Sequence, residues 1–297
     1  MTHIALVSVQ AARPLDDDLA PLTAAFQAEG VNASIVDWDD PQAEWTRFDA
    51  AVLRSTWDYS ERLPEFLAWA ARVAAQTRLF NPFEVVRWNT DKHYLAALER
   101  AGVAIVPSLF VEPDESPLDA LARFLAAYPL AEEFVIKPCV GAGSRDAQRH
   151  RREHREGALV HLARLLDAGR SVLMQPYLAT VDDRGETALI HFDGQFSHAI
   201  RKGALLLRGE GPTQELFAPE QITPRVPSEA ERALALRAVA AIPFAGPFAY
   251  ARVDLIHGAD GAPRLLELEL AEPSLFFDHA PGSAQRFARV ILAHITA

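Results

Sequence analysis

Residues 252 to 269 read Arg-Val-Asp-Leu-Ile-His-Gly-Ala-Asp-Gly-Ala-Pro-Arg-Leu-Leu-Glu-Leu-Glu, and this stretch folds on paper. Two apolar-rich runs flank Asp260-Gly261, a pair suited to the positive φ angles of a two-residue hairpin turn. With that pair at the tip, Asp254 lies opposite Glu267 and Arg252 opposite Glu269. Side chains alternate along a strand, so these four share one face while Val253, Leu255, Leu266, Leu268 and Leu270 fill the other. Two carboxylates about 4 Å apart repel by about 4 kcal/mol at an effective dielectric of about 20. Three on one patch ask for a cation, and an all-oxygen donor set asks for a hard one such as Mg²⁺. Alternating charge on a solvated strand face is the competing reading; the cross-strand register favours the metal.

The rest of the chain fits a soluble protein with a full core. Its 297 residues are 49% hydrophobic, enough for two or three lobes. The net charge of −11 disfavours nucleic acid or an anionic membrane as the main partner, since both need a basic footprint. The basic run Arg145 to Arg155 is the local exception and reads as a solvated helix start. The single cysteine, Cys139, excludes an internal disulfide and fits a reducing cytoplasm. The first residues read as a strand rather than a signal peptide. The longest uncharged run, Ala238 to Ala251, is too short to span a bilayer.

The first third alternates strand and helix, with strands expected at Ile4–Val9, Ala33–Asp37, Ala50–Arg54 and Arg78–Phe80 and helices at Asp16–Glu29 and Arg62–Ala75. Such alternation means an α/β fold with a parallel sheet covered by helices. Ligands on such sheets gather at the C-terminal ends of strands, which makes Arg54, Ser55, Thr56, Trp57 and Tyr59 candidates for a substrate loop. Thr90 or Asn89 is read as capping a helix that ends near Gly102, followed by strands at Val103–Val111 and Phe134–Lys137 with a helix at Leu118–Ala127 between them. Hairpins follow, then helices at Ser228–Ala241 and Ser283–His294.

Lys137-Pro-Cys-Val-Gly141-Ala-Gly143-Ser144 is a strand running into a small-residue loop, where backbone N–H groups and the Ser144 hydroxyl can turn toward an anion. The third glycine of a dinucleotide fingerprint is missing, and no Gly-Lys-Ser/Thr phosphate loop occurs. The chain holds only three lysines, Lys92, Lys137 and Lys202, and the first two flank this loop in sequence. A second hairpin, Glu186–Phe192 and Gln195–Lys202 about Asp193-Gly194, sets Glu186 opposite Arg201 and turns Lys202 to the other face if the strand is regular. That pair reads either as a cross-strand salt bridge or as an acid for ribose hydroxyls beside an arginine for phosphate.

In this order, Lys92, Lys137 with its Gly-rich loop, the Met-Gln-Pro-Tyr connector, Gly185-Glu186, Arg201-Lys202 and Asp254…Glu267-x-Glu269 resemble an ATP-grasp ligase of the glutathione-synthetase-like branch, over roughly residues 88 to 297. The resemblance implies ATP and Mg²⁺ as cofactors and three regions: an N-terminal α/β substrate domain (1–88), a small lid lobe (89–174) and a C-terminal lobe with the metal site (175–297). It implies Lys92 and Lys137 on the α- and β-phosphates under a flexible loop from Gly141 through Gly143 to Ser144. Gln175, Tyr177 and Leu178 would line the adenine slot, with Glu186 on the ribose. Arg201 would hold the γ-phosphate or the acyl-phosphate, and Arg252 joins Arg201 and Lys137 as a catalytic candidate. Lys202 is a further nucleotide candidate, and Asp254, Glu267 and Glu269 would carry the metal. Where relatives often place an amide, Glu269 is an acid, which makes the site more negative.

Within that superfamily, Leu53-Arg-Ser-Thr-Trp-Asp-Tyr59, Asn89-Thr-Asp-Lys-His93, Val140-Gly-Ala-Gly-Ser-Arg-Asp146 and Ser197-His-Ala-Ile-Arg-Lys202 are similar to the O-ureido-serine cyclo-ligases that form D-cycloserine. That likeness implies a small-molecule carboxylate activated by ATP and attacked by a nitrogen of the same molecule. An intermolecular amino-acid or peptide ligase shares every nucleotide residue, and a non-catalytic ATP-binding module is the third reading. A homodimer stays open. The His150/His154 pair at i, i+4 lacks an evident third zinc ligand, and no Gly-x-Ser-x-Gly elbow supports a hydrolase.

Overall fold

A computed structural model describes residues 2–206, 209, 211–212, 221–246 and 248–296, and these build three sheets. The first runs in the order β2 (Asn32–Asp37), β1 (His3–Ser8), β3 (Ala50–Ser55), β4 (Arg78–Phe80), all parallel. Its connecting helices are α1 (Leu19–Ala28) and α2 (Leu63–Ala74). The latter buries Phe66, Trp69, Ala70 and Val73, the i, i+3, i+4, i+7 stripe of a helix with one face on a core. The second sheet is antiparallel, in the order β5 (Leu109–Val111), β8 (Val172–Pro176), β6 (Glu133–Pro138), β7 (Gln148–Arg151). Helices α5 (Pro117–Ala127) and α6 (Arg155–Asp167) share its core. The third, also antiparallel, runs β11 (Ile222–Pro224), β10 (Gln195–Lys202), β9 (Glu186–Phe192), β12 (Tyr250–His257), β13 (Pro263–Glu269). Helix α8 (Glu229–Ala240) packs on it behind a Ser228–Glu231 capping box.

The first and third sheets share a core. Ile4, Leu6 and Phe26 pack in one cluster with Ala188, Ile190, Tyr250 and Phe287, and the last helix, α9 (Ser283–Thr296), returns against α1. Polar contacts fix the join. The Asn81 amide donates to the carbonyls of Tyr250 (2.9 Å) and Leu270 (2.8 Å), and the Tyr250 hydroxyl donates to those of Phe80 and Ala271, each at 2.8 Å. Short helices α3 (Phe83–Asn89), α4 (Tyr94–Arg100) and α7 (Thr180–Arg184) connect the sheets. A division at 174/175 runs through strand β8.

Several local expectations change. The helix expected to be capped by Thr90 or Asn89 and to end near Gly102 starts later, as α4 with His93 before it, and Asn89 instead ends the preceding helix α3. There it donates to Leu268 O (2.7 Å) and accepts from Leu270 N (2.6 Å), fastening β13. Val103–Val111 forms a strand only over its last three residues, with one bridge between Ile105 and Leu265 before it. Most of the basic run is not helical: Gln148–Arg151 is an edge strand paired with β6, in which Arg149 binds Glu133 and Asp182, and α6 starts only at the run's last residue, Arg155. His150 lies buried against His161 and His154 is exposed, so the two do not meet. The β12–β13 connection spans 258–262 rather than two residues, and a bulge between Asp254 and Leu255 restores the expected pairs Arg252 with Glu269 and Asp254 with Glu267. Leu265 takes the core place expected of Leu266, which turns to the other face.

Candidate active site

One cavity lies between the three sheets, and all three lysines of the chain line it: Lys92 before α4, Lys137 near the end of β6 and Lys202 at the end of β10. Arg252, on β12, adds a fourth cation. Lys92 Nζ lies 2.8 Å from Glu267 Oε1 and donates to Gly141 O at 2.9 Å. Burial works against its charge, and the Glu267 carboxylate outweighs that and holds the amine above the usual lysine range. Lys137 goes the other way: burial lowers its pKa, and the Lys92 ammonium adds to the fall. Lys202 pairs with Glu186 and, at 2.8 Å, with Asp254 Oδ2.

Glu267 and Glu269 form the acidic wall. Asp254 is buried behind them, bound by Arg252 (2.9 Å) and Lys202. Although burial opposes ionisation, Arg252 and Lys202 hold Asp254 well below the usual carboxylate range. Glu269 is different. Burial, with Asp254 and Glu267 adding to it, pushes its carboxyl up to about 7 despite the 2.5 Å contact with Arg252. As oxygen-only donors still about a quarter exposed (23% and 25%), Glu267 and Glu269 suit a hard divalent cation.

The remaining walls suit a planar ring and a phosphate chain. Val135, Gln175, Pro176, Tyr177, Leu178, Ile256 and Leu266 line the side between β6, β8 and the third sheet. Gly141, Gly143, Ser144 and Arg145 form the opposite rim. The loop takes left-handed φ angles at Gly143 (59°), Ser144 (61°) and Asp146 (59°). Its far end is anchored where Asp146 accepts from Arg164 (2.7 Å) and Arg170 (2.6 Å). Arg145 reaches the first domain, 2.8 Å from Glu61.

The structure does not bring Arg201 to this cavity. A bulge between Phe196 and His198 shifts the β9–β10 register by one residue, so Lys202 faces Glu186 and Arg201 faces Thr187. The Arg201 guanidinium donates instead to the carbonyls of Arg184 (2.8 Å) and Asp183 (3.1 Å). Gly185 makes room for this crossing. It sits at φ 70°, and a Cβ there would lie 2.4 Å from Lys202 O. Arg54, Ser55 and Thr56 are likewise not cavity residues. Strand β3 is covered on both faces, so Arg54 spans the interior to Pro273 O (2.7 Å) and Ser55 bonds Ser8 (2.7 Å). Trp57 and Tyr59, on the turn that follows, do reach the cavity.

Sequence reasoning missed Glu272, which lines the cavity beyond Glu269. Burial and the nearby Glu269 push its carboxyl up to about 8, although the Tyr59 hydroxyl bonds it. The signal was present in Glu267-Leu-Glu-Leu-Ala-Glu272-Pro-Ser274, a third acid just past the strand where the chain must turn back into the cleft.

A two-lobed cleft carrying lysines from both sides, a glycine loop at its rim and acids on its floor is the architecture of the ATP-grasp ligases, and this chain has that fold. The ATP-grasp ligase PsnB in complex with a minimal precursor is similar over 99% of both chains (TM-score 0.65, 21% identity). D-alanine–D-alanine ligase from Bacillus anthracis is similar over 99% of this chain and 97% of its own (TM-score 0.66, 14% identity). The likeness narrows sharply elsewhere. Residues 4–81 match the family model of the D-cycloserine synthetase DcsG N-terminal domain. The cycloserine biosynthesis protein DcsG of Streptomyces lavendulae is 44% identical over 98% of both chains. The crystal structure of D-cycloserine synthetase DcsG superimposes with a TM-score of 0.94 at 43% identity, over 99% of both chains. The chain belongs to the DcsG family of ATP-dependent ligases. Among the described residues, no helix is long and apolar enough to cross a membrane.

Proposed function

We propose that this chain uses ATP to activate the carboxylate of O-ureido-D-serine and closes it to D-cycloserine. What carries the reading is the convergence of Lys92, Lys137, Lys202 and Arg252 on a cavity walled by Glu267 and Glu269, in a chain 44% identical along its length to DcsG. The substrate carboxylate oxygen attacks the γ-phosphorus of ATP, giving an acyl-phosphate and ADP. The ureido nitrogen on the aminooxy oxygen of the same molecule then attacks the acyl carbon. The C–N bond forms as the bond to phosphate breaks, and the carbamoyl group leaves as carbon dioxide and ammonia with one water consumed.

The protein's part is to hold charge in place. Lys92 and Lys137 take the α- and β-phosphates beneath the loop from Gly141 to Ser144, and Lys202 and Arg252 take the transferring group in place of Arg201. Gln175, Tyr177 and Leu178 receive the adenine and Glu186 the ribose. Glu267 and Glu269, with Asp254 behind, would hold Mg²⁺, which neutralises phosphate charge. We place the reaction in the cytoplasm, where ATP and a reduced Cys139 coexist.

Coupled ADP release over a panel of small amino-acid carboxylates tests the reading. O-ureido-D-serine should release one ADP per D-cycloserine seen by mass. ADP release that needs an added amine and yields an open-chain amide would favour an intermolecular ligase instead.

A further inference from the structure

The cavity is electrostatically lopsided. Its nucleotide side carries three lysines and Arg252, of which Lys92, Lys202 and Arg252 are paired with acids. The opposite side, where the turn after β3 closes over the cleft, presents Trp57, Tyr59 and Glu272. Glu272 is only 8% exposed, and among the described residues no arginine, lysine or histidine lies within ion-pair distance of it. Its visible partners are neutral: the Tyr59 hydroxyl bonds the carboxyl and the Trp57 indole donates to its backbone carbonyl at 3.2 Å. Lys92 compensates it only in part, from a distance, its direct contacts being Glu267 and Gly141 O. Arg252 is taken by Asp254 and Glu269. A buried carboxylate is ordinarily matched by a cation. Here no neighbouring side chain is ion-paired with it, so burial keeps the carboxyl protonated until a ligand's cation ionises it, and it faces the space a substrate must occupy.

We propose that Glu272 is the anchor for the substrate's ammonium group, making this enzyme selective for an α-amino acid over the corresponding plain carboxylic acid. The inference rests on the ligase reading above and names the feature of the substrate that the far wall recognises. The geometry places the ammonium beside Glu272 and Tyr59, and the carboxylate to be activated toward Arg252 and the acidic wall. The amino group then sits on the N-terminal side of the reacting carbon and the nucleotide on the other. Glu272 is a specificity residue; no proton transfer is assigned to it.

The test is calorimetric binding to the full chain with Mg²⁺ and a non-hydrolysable ATP analogue, so that it does not depend on turnover. O-ureido-D-serine is compared with its analogue lacking the amino group, on wild type and on Glu272→Gln. Wild type should bind the amino acid at least tenfold tighter than the desamino analogue. Glu272→Gln should lose most of that preference by weakening the amino acid alone, with affinity for the ATP analogue unchanged and, in steady state, KM moving more than kcat. Equal affinity of wild type for the two compounds, binding of neither, or a preference that survives Glu272→Gln overturns the inference. The ligase reading fails separately, if the amino acid binds as expected but releases no ADP with ATP.

Discussion

Lys202 stands across the ladder from Glu186, and its ammonium also binds Asp254 Oδ2 at 2.8 Å. One extra residue between Phe196 and His198 decides this: without it Arg201 would face the cleft and Lys202 the helix side.

Lys202→Met should therefore cost about 10²–10³-fold in kcat/KM, the usual loss for one preorganised donor on developing charge, whereas Arg201→Met should stay within a few-fold of wild type. Removing one partner of a buried ion cluster also destabilises by about 3–5 kcal/mol, so Lys202→Met/Glu186→Gln is the control that removes opposite charges together. Steady-state ADP release on all three variants decides it. Greater loss at Arg201 would mean the register is wrong.

Glu267→Gln keeps the shape of the acidic wall and removes the charge that holds Lys92 above its usual range. Loss of the cation's several kcal/mol of charge stabilisation predicts that ADP formation falls by about 10³-fold or more, with a lowered thermal midpoint because buried Lys92 loses its carboxylate partner. Full turnover in this variant would remove the acid pair from the metal site.

The buried Glu272 sets a pH dependence whose sign follows from its carboxyl lying up at about 8 against an ordinary 4.5, through burial and then Glu269. Between those values the folded chain holds a proton that the unfolded chain has released. Stability then falls as pH rises, by at most about 1.4 kcal/mol per unit. Glu272→Gln lacks this term, so its advantage over wild type in urea unfolding should grow from pH 5 to pH 8. A difference that stays flat across that range would contradict the assignment.

The Arg145–Glu61 pair ties the rim loop to the first domain, with 27% and 52% of the two side chains exposed. Exposed pairs contribute about 0–1 kcal/mol, so Glu61→Gln should raise the KM for ATP by no more than about fivefold and leave kcat unchanged. Arg145→Ala, which also strips a cavity wall, should have the larger effect.

Much of the site was legible because period-two alternation and turn chemistry are local properties. The pairs Asp254 with Glu267 and Arg252 with Glu269 follow from the hairpin pattern alone, though by two departures that cancel: a longer turn and a compensating bulge. The β10 bulge had no compensation, so the same arithmetic exchanged Arg201 for Lys202. Bulges are fixed by packing against neighbouring layers, which a single chain's pattern does not display. Arg54 failed for a related reason. A charged residue at a strand's end suggests a ligand, yet here it crosses the interior to the carbonyl of Pro273, 219 residues away in sequence. Glu272 escaped notice because it follows the strand, where alternation no longer applies.

Since Lys92, Lys137 and Lys202 are the only lysines and all three line one cavity, every side-chain amine of the molecule is spent in one place. The outer surface is left to arginine for its positive charge, so an amine-directed acylating reagent would modify, apart from the chain's first residue, only this cavity. Protection of those amines by ATP would then report occupancy of the chamber directly, with no background from the exterior.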